Sequence, residues 1–192
     1  MKLFFLRHGP THAKRAIGWT DLPADLSDTA RLQRIDQAIP QNTTCISSDL
    51  TRTRETLAAV SGNRPRLPEN PALREFHYGD WEDLSFQEIS SKDPDRAMAY
   101  WRTPGDVSPP NGESWNEGVA RMSQAVDAAR ASAGNTDLLI VCHFGVILSQ
   151  LARFSSIPAR SVLSFSIEPL SLTTIEILSE GSPRVLGVNH LL

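Results

Sequence analysis

Leu3-Phe4-Phe5-Leu6-Arg7-His8-Gly9-Pro10-Thr11 is the stretch on which the fold turns. The apolar run Leu3-Phe4-Phe5-Leu6, bounded by Lys2 and Arg7, reads as a short buried strand, because a helix would need a longer periodic pattern. After Leu6 the chain changes character. Arg7, His8 and Gly9 put a cation, an imidazole and a conformationally free residue at the strand's C-terminal end, where open α/β sheets keep their ligand crevices.

Residues 137–141 give a second strong strand signal, and it too empties into an unusual group, Cys142-His143-Phe144-Gly145. Working outward, residues 43–47 read as a further strand, and residues 173–178 and 184–188 as closing strands separated by the turn-prone Glu180-Gly181-Ser182-Pro183. Helices are predicted over residues 27–39, capped by Ser27 and ended by Pro40; after Ser48 or Asp49 as cap, carrying Arg52; over 94–101; over 113–133, ending near Gly134; and over 146–154. Residues 18–26 read as an ordered loop, and the proline-bearing residues 64–71 as an extended connection. Residues 73–82 alternate apolar and polar before a glycine turn, and 104–110 form a surface loop. Strands alternating with helices imply a largely parallel sheet covered on both faces.

A chain of 192 residues with 40% hydrophobic content can bury one substantial core, so 1–192 reads as a single domain. The 19 Lys plus Arg against 22 Asp plus Glu leave a net charge of −3, with no global positive field for nucleic acid or an anionic membrane. The apolar run before Arg7 is too short for a signal peptide, and no later run reaches membrane-spanning length, which points to the cytoplasm. Cys45 and Cys142 form no C-x-x-C motif and read as buried fillers.

In such a sheet the two histidine-terminated strands bring His8 and His143 to one edge, and the helix after Ser48 brings Arg52 there. Two imidazoles with Arg7, Arg52 and exposed N–H groups make a pocket for a compact multi-oxygen anion, phosphate being the natural candidate. A neutral imidazole can attack phosphorus, so His8 needs its other nitrogen fixed by a backbone carbonyl. Phosphoryl transfer depends on positioning and on compensating charge. At ~4 Å and an effective dielectric near 20, each cation attracts a unit negative charge by roughly 4 kcal/mol before desolvation. The leaving alkoxide needs a proton. Glu75 is the best donor, since a phosphate dianion raises the pKa of a carboxyl facing it.

These residues carry a resemblance to the histidine phosphatase, or phosphoglycerate mutase-like, superfamily over nearly the whole chain. Its motifs stand here, in order, as Arg7-His8-Gly9-Pro10-Thr11, then Gly18-Trp19-Thr20-Asp21 with Leu26-Ser27, and Ser48-Asp49-Leu50-Thr51-Arg52 with Thr56 in register. Residues 73–82, 110–114 and Val141-Cys142-His143-Phe144-Gly145 complete the set. The resemblance implies a three-layer α/β/α sandwich with a mostly parallel central sheet, and neither metal nor other cofactor. It implies His8 as the phosphorylated nucleophile, Glu75 as general acid/base, and Arg7, Arg52 and His143 as holders of the phosphoryl group. Thr11, Lys14, Gly18 and Phe144 are the further candidates for substrate contact. The short chain and Gly79-Asp80-Trp81-Glu82 look most like the α-ribazole phosphatase-like small phosphatases. Likeness to the glycolytic mutases is weaker, because their paired arginines after a tryptophan are matched only by Trp101-Arg102-Thr103.

Three positions depart from the family pattern: Pro10 for a usual Glu or Gln, Lys14 for a usual Asn, and Phe144 for a usually small or polar residue. They bear on the substrate more than on the reaction class. The leading expectation is a metal-independent phosphomonoesterase for a small phosphorylated substrate, monomeric or homodimeric, with no nucleic-acid or membrane partner. A phosphomutase and a non-catalytic phospho-ligand binding module are the alternatives. A histidine-based metal hydrolase is disfavoured because no H-E-x-x-H spacing occurs. Residues 104–110, with Trp101 and Trp115, are a candidate lid.

Overall fold

The computed structural model describes residues 1–192, and in it Lys2–Arg7 forms the strand β1. Side chains alternate across a strand, so β1 feeds two cores at once: Leu3 and Phe5 enter one, Phe4 and Leu6 the other. The strand β3 (Leu138–Cys142) does the same, with Leu138, Ile140 and Cys142 on the first side and Leu139 and Val141 on the second. Burial on both faces is why these strands read as unbroken apolar runs rather than as alternating patterns.

Helices close each side. From α5 (Trp115–Ala133) and α6 (Phe144–Ser155), Met122, Val126, Val146 and Ile147 fill the first core. On the other face, α1 (Thr29–Ala38) and α2 (Thr51–Val60) supply Leu32, Ile35, Leu57 and Val60. The result is the expected α/β/α layering. With β2 (Thr44–Ser47), β4 (Leu172–Glu176) and β5 (Arg184–His190), the sheet order is β2-β3-β1-β4-β5. The pairs β1/β3 and β2/β3 are parallel, while β4 runs antiparallel to both β1 and β5. The sheet is therefore mixed, with β4 the one reversed strand. Arg7 pairs with Cys142 in the β1/β3 register, so His8 and His143 leave the sheet side by side.

A third, smaller cluster of Ala16, Trp81, Ile89, Ala97 and Tyr100 sits under α3 (Phe86–Lys92) and α4 (Pro94–Arg102). The short α7 (Ala159–Val162) completes the helices. The sequence reading does not anticipate α3, although Ser85 and Glu88 form a reciprocal capping box at its start. Two expected caps are corrected. Asp28, not Ser27, caps α1 through its bond from Arg31 N at 3.0 Å. Leu50 precedes α2 with no side-chain cap, because Ser48 and Asp49 are engaged elsewhere, with His143 and Arg74. Residues 64–70 are extended as expected, Arg66 bridging Cys45, but Pro71, expected in the same connection, opens a 3-10 turn at Pro71–Leu73, and a second such turn follows at Gly79–Trp81. Cys45 and Cys142 are free and buried. No helix is long and apolar enough to cross a membrane.

Candidate active site

His8, the first residue beyond β1, is 7% exposed and donates its backbone N–H to Cys142 O at 3.0 Å. Its Nδ1 lies 2.7 Å from Gly9 O. A carbonyl only accepts, so Nδ1 carries the proton and Nε2 the lone pair. Burial, reinforced by the charges of Arg52 and Arg7 and opposed by the Gly9 carbonyl, pushes the imidazole pKa down to about 3. The ring is therefore neutral at physiological pH.

His143 lies beside it, ring centroids 5.2 Å apart and planes at 62°. Arg52 Nε donates to His143 Nδ1 at 3.3 Å, which places the proton on Nε2, 2.8 Å from Ser48 Oγ. The relay continues to Thr53 Oγ1 at 2.7 Å, and from there to Leu50 O at 2.8 Å. Burial, then the charge of Arg52, holds His143 well below the usual histidine pKa.

Both arginines are held by backbone. Arg52, 1% exposed, donates from Nη1 to Thr20 O at 2.9 Å and from Nη2 to Gly18 O at 2.6 Å. Arg7 Nη1 donates to Ile167 O at 2.5 Å, and its Nε is buried without a partner. Burial lowers the pKa of each, and the Glu75 charge opposes this; a guanidinium stays protonated regardless.

Glu75 is fixed at both ends. Its carboxylate accepts from Phe76 N at 3.0 Å and, with Oε2, from Gly145 N at 3.0 Å in the first turn of α6. Its carbonyl accepts from Trp19 Nε1 at 2.8 Å and Arg121 Nη2 at 3.1 Å. A Cβ at residue 145 would come within 2.2 Å of Glu75 Oε1, so glycine is needed there. Burial raises the Glu75 pKa against the pull of the Gly145 and Phe76 N–H groups and of Arg52 and Arg7.

Arg7, His8, Thr11, Arg52, Glu75 and Phe144 all line one cavity of about 160 Å³. His143 does not line it; both its ring nitrogens are engaged within the protein. Two predicted contact residues fall outside as well. Lys14 is exposed and absent from the wall, while its neighbours Ala13 and Arg15 line it. Gly18 is buried and supports Arg52 through its carbonyl instead. The wall adds Arg15, Tyr78 and Phe86, none singled out from the sequence. Trp101, Trp115 and Pro104 line an adjoining apolar chamber of about 30 Å³ that shares Tyr78 and Phe144 with the cavity.

Glu82 is the other residue missed. Its carboxylate accepts from Gly18 N, Trp19 N, Thr20 N and Tyr78 N at 3.1, 2.8, 3.2 and 3.2 Å, and from Thr20 Oγ1 at 2.7 Å. Burial works to raise its pKa, but these donors together outweigh it and lower the pKa. Glu82 thus ties down the loop whose carbonyls hold Arg52. No group of three or more His, Cys, Asp or Glu side chains is arranged to hold a metal ion; the positive charge at the cavity comes from arginine.

The family model described as histidine phosphatase superfamily (branch 1) matches residues 3–190. An adenosylcobalamin/alpha-ribazole phosphatase of Salmonella typhimurium is 28% identical over 92% of this chain and 91% of its own. A glucosyl-3-phosphoglycerate phosphatase of Mycobacterium tuberculosis is 32% identical, covering 83% and 78%. A 2,3-bisphosphoglycerate-dependent phosphoglycerate mutase 2 of Gloeobacter violaceus is 30% identical, covering 94% and 87%. Among solved structures, YhfR of Bacillus stearothermophilus superposes with a TM-score of 0.89 at 27% identity, covering 100% of this chain and 98% of that one.

Proposed function

The chain belongs to the histidine phosphatase superfamily, and from that premise we propose that it is a metal-independent phosphomonoesterase working through phosphohistidine at His8. One observation carries the reading: His8 Nδ1 is pinned to its own chain's carbonyl, and no protein group bonds Nε2 in a cavity that it shares with Arg7, Arg52 and Glu75. The Nε2 lone pair attacks phosphorus as the ester P–O bond breaks, and the protonated Glu75 carboxyl gives its proton to the departing oxygen. Water then attacks the phosphohistidine, Glu75 takes the water's proton, and the P–N bond breaks to return neutral His8 and release phosphate. Arg7 and Arg52 face the non-bridging oxygens, where charge must be balanced.

The substrate in this reading is a small phosphorylated metabolite of the cytoplasm, handled by a monomer or homodimer. α-Ribazole 5′-phosphate is the first candidate, after the name of the Salmonella relative. A mutase must also retain its phosphorylated intermediate. The wall carries only one further cation, Arg15, and it lies 3.8 Å from the Glu88 carboxylate, which favours release over retention.

The test is phosphate release in EDTA from a panel that includes α-ribazole 5′-phosphate and 3-phosphoglycerate, comparing the parent with His8→Ala. Release by the parent with a loss of about 10⁴-fold or more in the variant is expected, the scale on which lost nucleophiles act. Equal release by both, or activity that EDTA abolishes and zinc restores, rejects the reading.

A further inference from the structure

The cavity wall changes chemistry from its floor to its mouth. Around His8 it is cationic, whereas the rim carries Phe86, the first residue of α3 and 59% exposed. Phe86 is the one aromatic ring among the exposed large hydrophobic side chains. Phe86 is not a stray surface residue, because the Trp101 ring stands edge-on to it at 5.5 Å and Trp101 in turn meets Tyr78 at 5.9 Å. Phe144 continues the apolar surface; it lines both the cavity and the adjoining chamber, with the Arg7 guanidinium 5.5 Å from its ring centroid. Beyond Arg7 and Arg52 the wall carries one cation, Arg15, and a carboxylate partly compensates its charge. Arg15 Nη1 donates to Asp83 O at 2.6 Å and lies 3.8 Å from Glu88.

We propose that the group esterified to the phosphate is an uncharged alcohol with an apolar or aromatic face, and that it sits against Phe86, Tyr78 and Phe144. This rests on the phosphomonoesterase reading for its chemistry, but the seat can be tested by binding alone. The probes are 2-phenylethyl phosphate, ethyl phosphate and 3-phosphoglycerate. The two alkyl esters share a phosphate and differ by a phenyl ring.

Calorimetric titration of the His8→Ala protein, which lacks the nucleophile, should give 2-phenylethyl phosphate about tenfold tighter binding than ethyl phosphate, the scale of one well-buried aromatic contact. Adding Phe86→Ala, at an exposed position, should shrink that ratio to about threefold and move the ethyl phosphate Kd by less than about twofold. Equal affinities for the two esters, an unchanged ratio in the double variant, or tighter binding of 3-phosphoglycerate than of 2-phenylethyl phosphate each overturns the seat. Turnover of both esters by the parent is scored separately. Its absence removes the phosphatase reading, while the affinity ratio still decides the seat.

Discussion

The strand ends and the α3–α4 pair reach the same cavity by opposite means. At the ends of β1 and β3, polar side chains are buried and then fixed by backbone: His8 by Gly9 O, Arg52 by Gly18 O and Thr20 O, Glu75 by Phe76 N and Gly145 N. On the α3–α4 side, rings project over a satellite core. The two cores flanking the sheet hold 21 and 12 buried residues, and the satellite only 5. Fewer buried apolar contacts mean a lower local opening free energy. In the proposed reaction the transferring group would meet preorganised dipoles and charges, and the leaving alcohol an apolar surface over the smallest of the three cores.

Arg52→Ala is the change expected to act most strongly. It removes a cation from the cavity and leaves the Gly18 and Thr20 carbonyls, with His143 Nδ1, without their donor. A loss of about 10³-fold in kcat/KM or more is expected. Arg52→Lys should not rescue it, since one ammonium cannot reproduce the planar fork that holds these acceptors. Steady-state kinetics on ethyl phosphate check both variants. A comparable loss in Phe86→Ala would break the contrast between the two sides.

Glu75→Gln comes next, and its effect should depend on the leaving group. An alkoxide needs the proton, so ethyl phosphate should lose about 10²–10³-fold. p-Nitrophenyl phosphate, whose anion leaves unaided, should lose far less. The raised Glu75 pKa keeps the acid form present to higher pH than an ordinary carboxyl allows. For ethyl phosphate, kcat/KM should fall as pH rises through that value, and the limb should vanish in Glu75→Gln. Equal losses on both substrates would remove Glu75 from the proton transfer.

The parts of this site legible in the sequence were those written as local pattern. Leu3–Leu6 and Leu138–Val141 are buried on both faces, so hydrophobicity alone located β1 and β3 and put His8 and His143 together. Arg52 follows from the helix after Ser48 and Glu75 from the leaving group's need for a proton, the family motifs agreeing with both, and both line the cavity. What could not be counted along the chain was direction and long-range contact. Arg15 lines the wall while the adjacent Lys14 stands in solvent, a choice between two neighbouring cations that residue type does not decide. Glu82 acts on residues 62 to 64 positions away, a connection that no window of sequence contains. The capping box of Ser85 and Glu88, by contrast, was a readable signal for α3.

Glu82→Gln measures what that long-range tie contributes. An amide accepts through one oxygen only and turns its NH2 toward the donors of residues 18–20, so the loop should loosen and Arg52 with it. About a tenfold fall in kcat/KM is expected, carried mainly by KM, the order of one or two lost hydrogen bonds to a charged group. Inhibition by inorganic phosphate should weaken in parallel; an unchanged phosphate inhibition constant would mean that Glu82 only stabilises the fold. The depressed pKa of Glu82 carries a sign for stability as well. Its contribution is complete above the ordinary carboxylate range and is lost as pH falls through the lowered value, so the variant's Tm should fall less on acidification than the parent's.

The smallest effect on the chemistry is expected from Ile89→Ala, in the middle of the satellite core and fully buried. A truncation of this kind costs about 2 kcal/mol or more. If α3 and α4 open as a unit apart from the sheet, that cost should appear as faster amide exchange within Phe86–Lys92 and Pro94–Arg102, with the amides of β1 and β3 unchanged. Turnover of ethyl phosphate should then stay within about twofold of the parent, while 2-phenylethyl phosphate, which leans on Phe86, loses about threefold. Uniformly faster exchange across the sheet would show instead that the rim and the strand ends share one cooperative core. Substrate choice could then not vary on one side without disturbing the chemistry on the other.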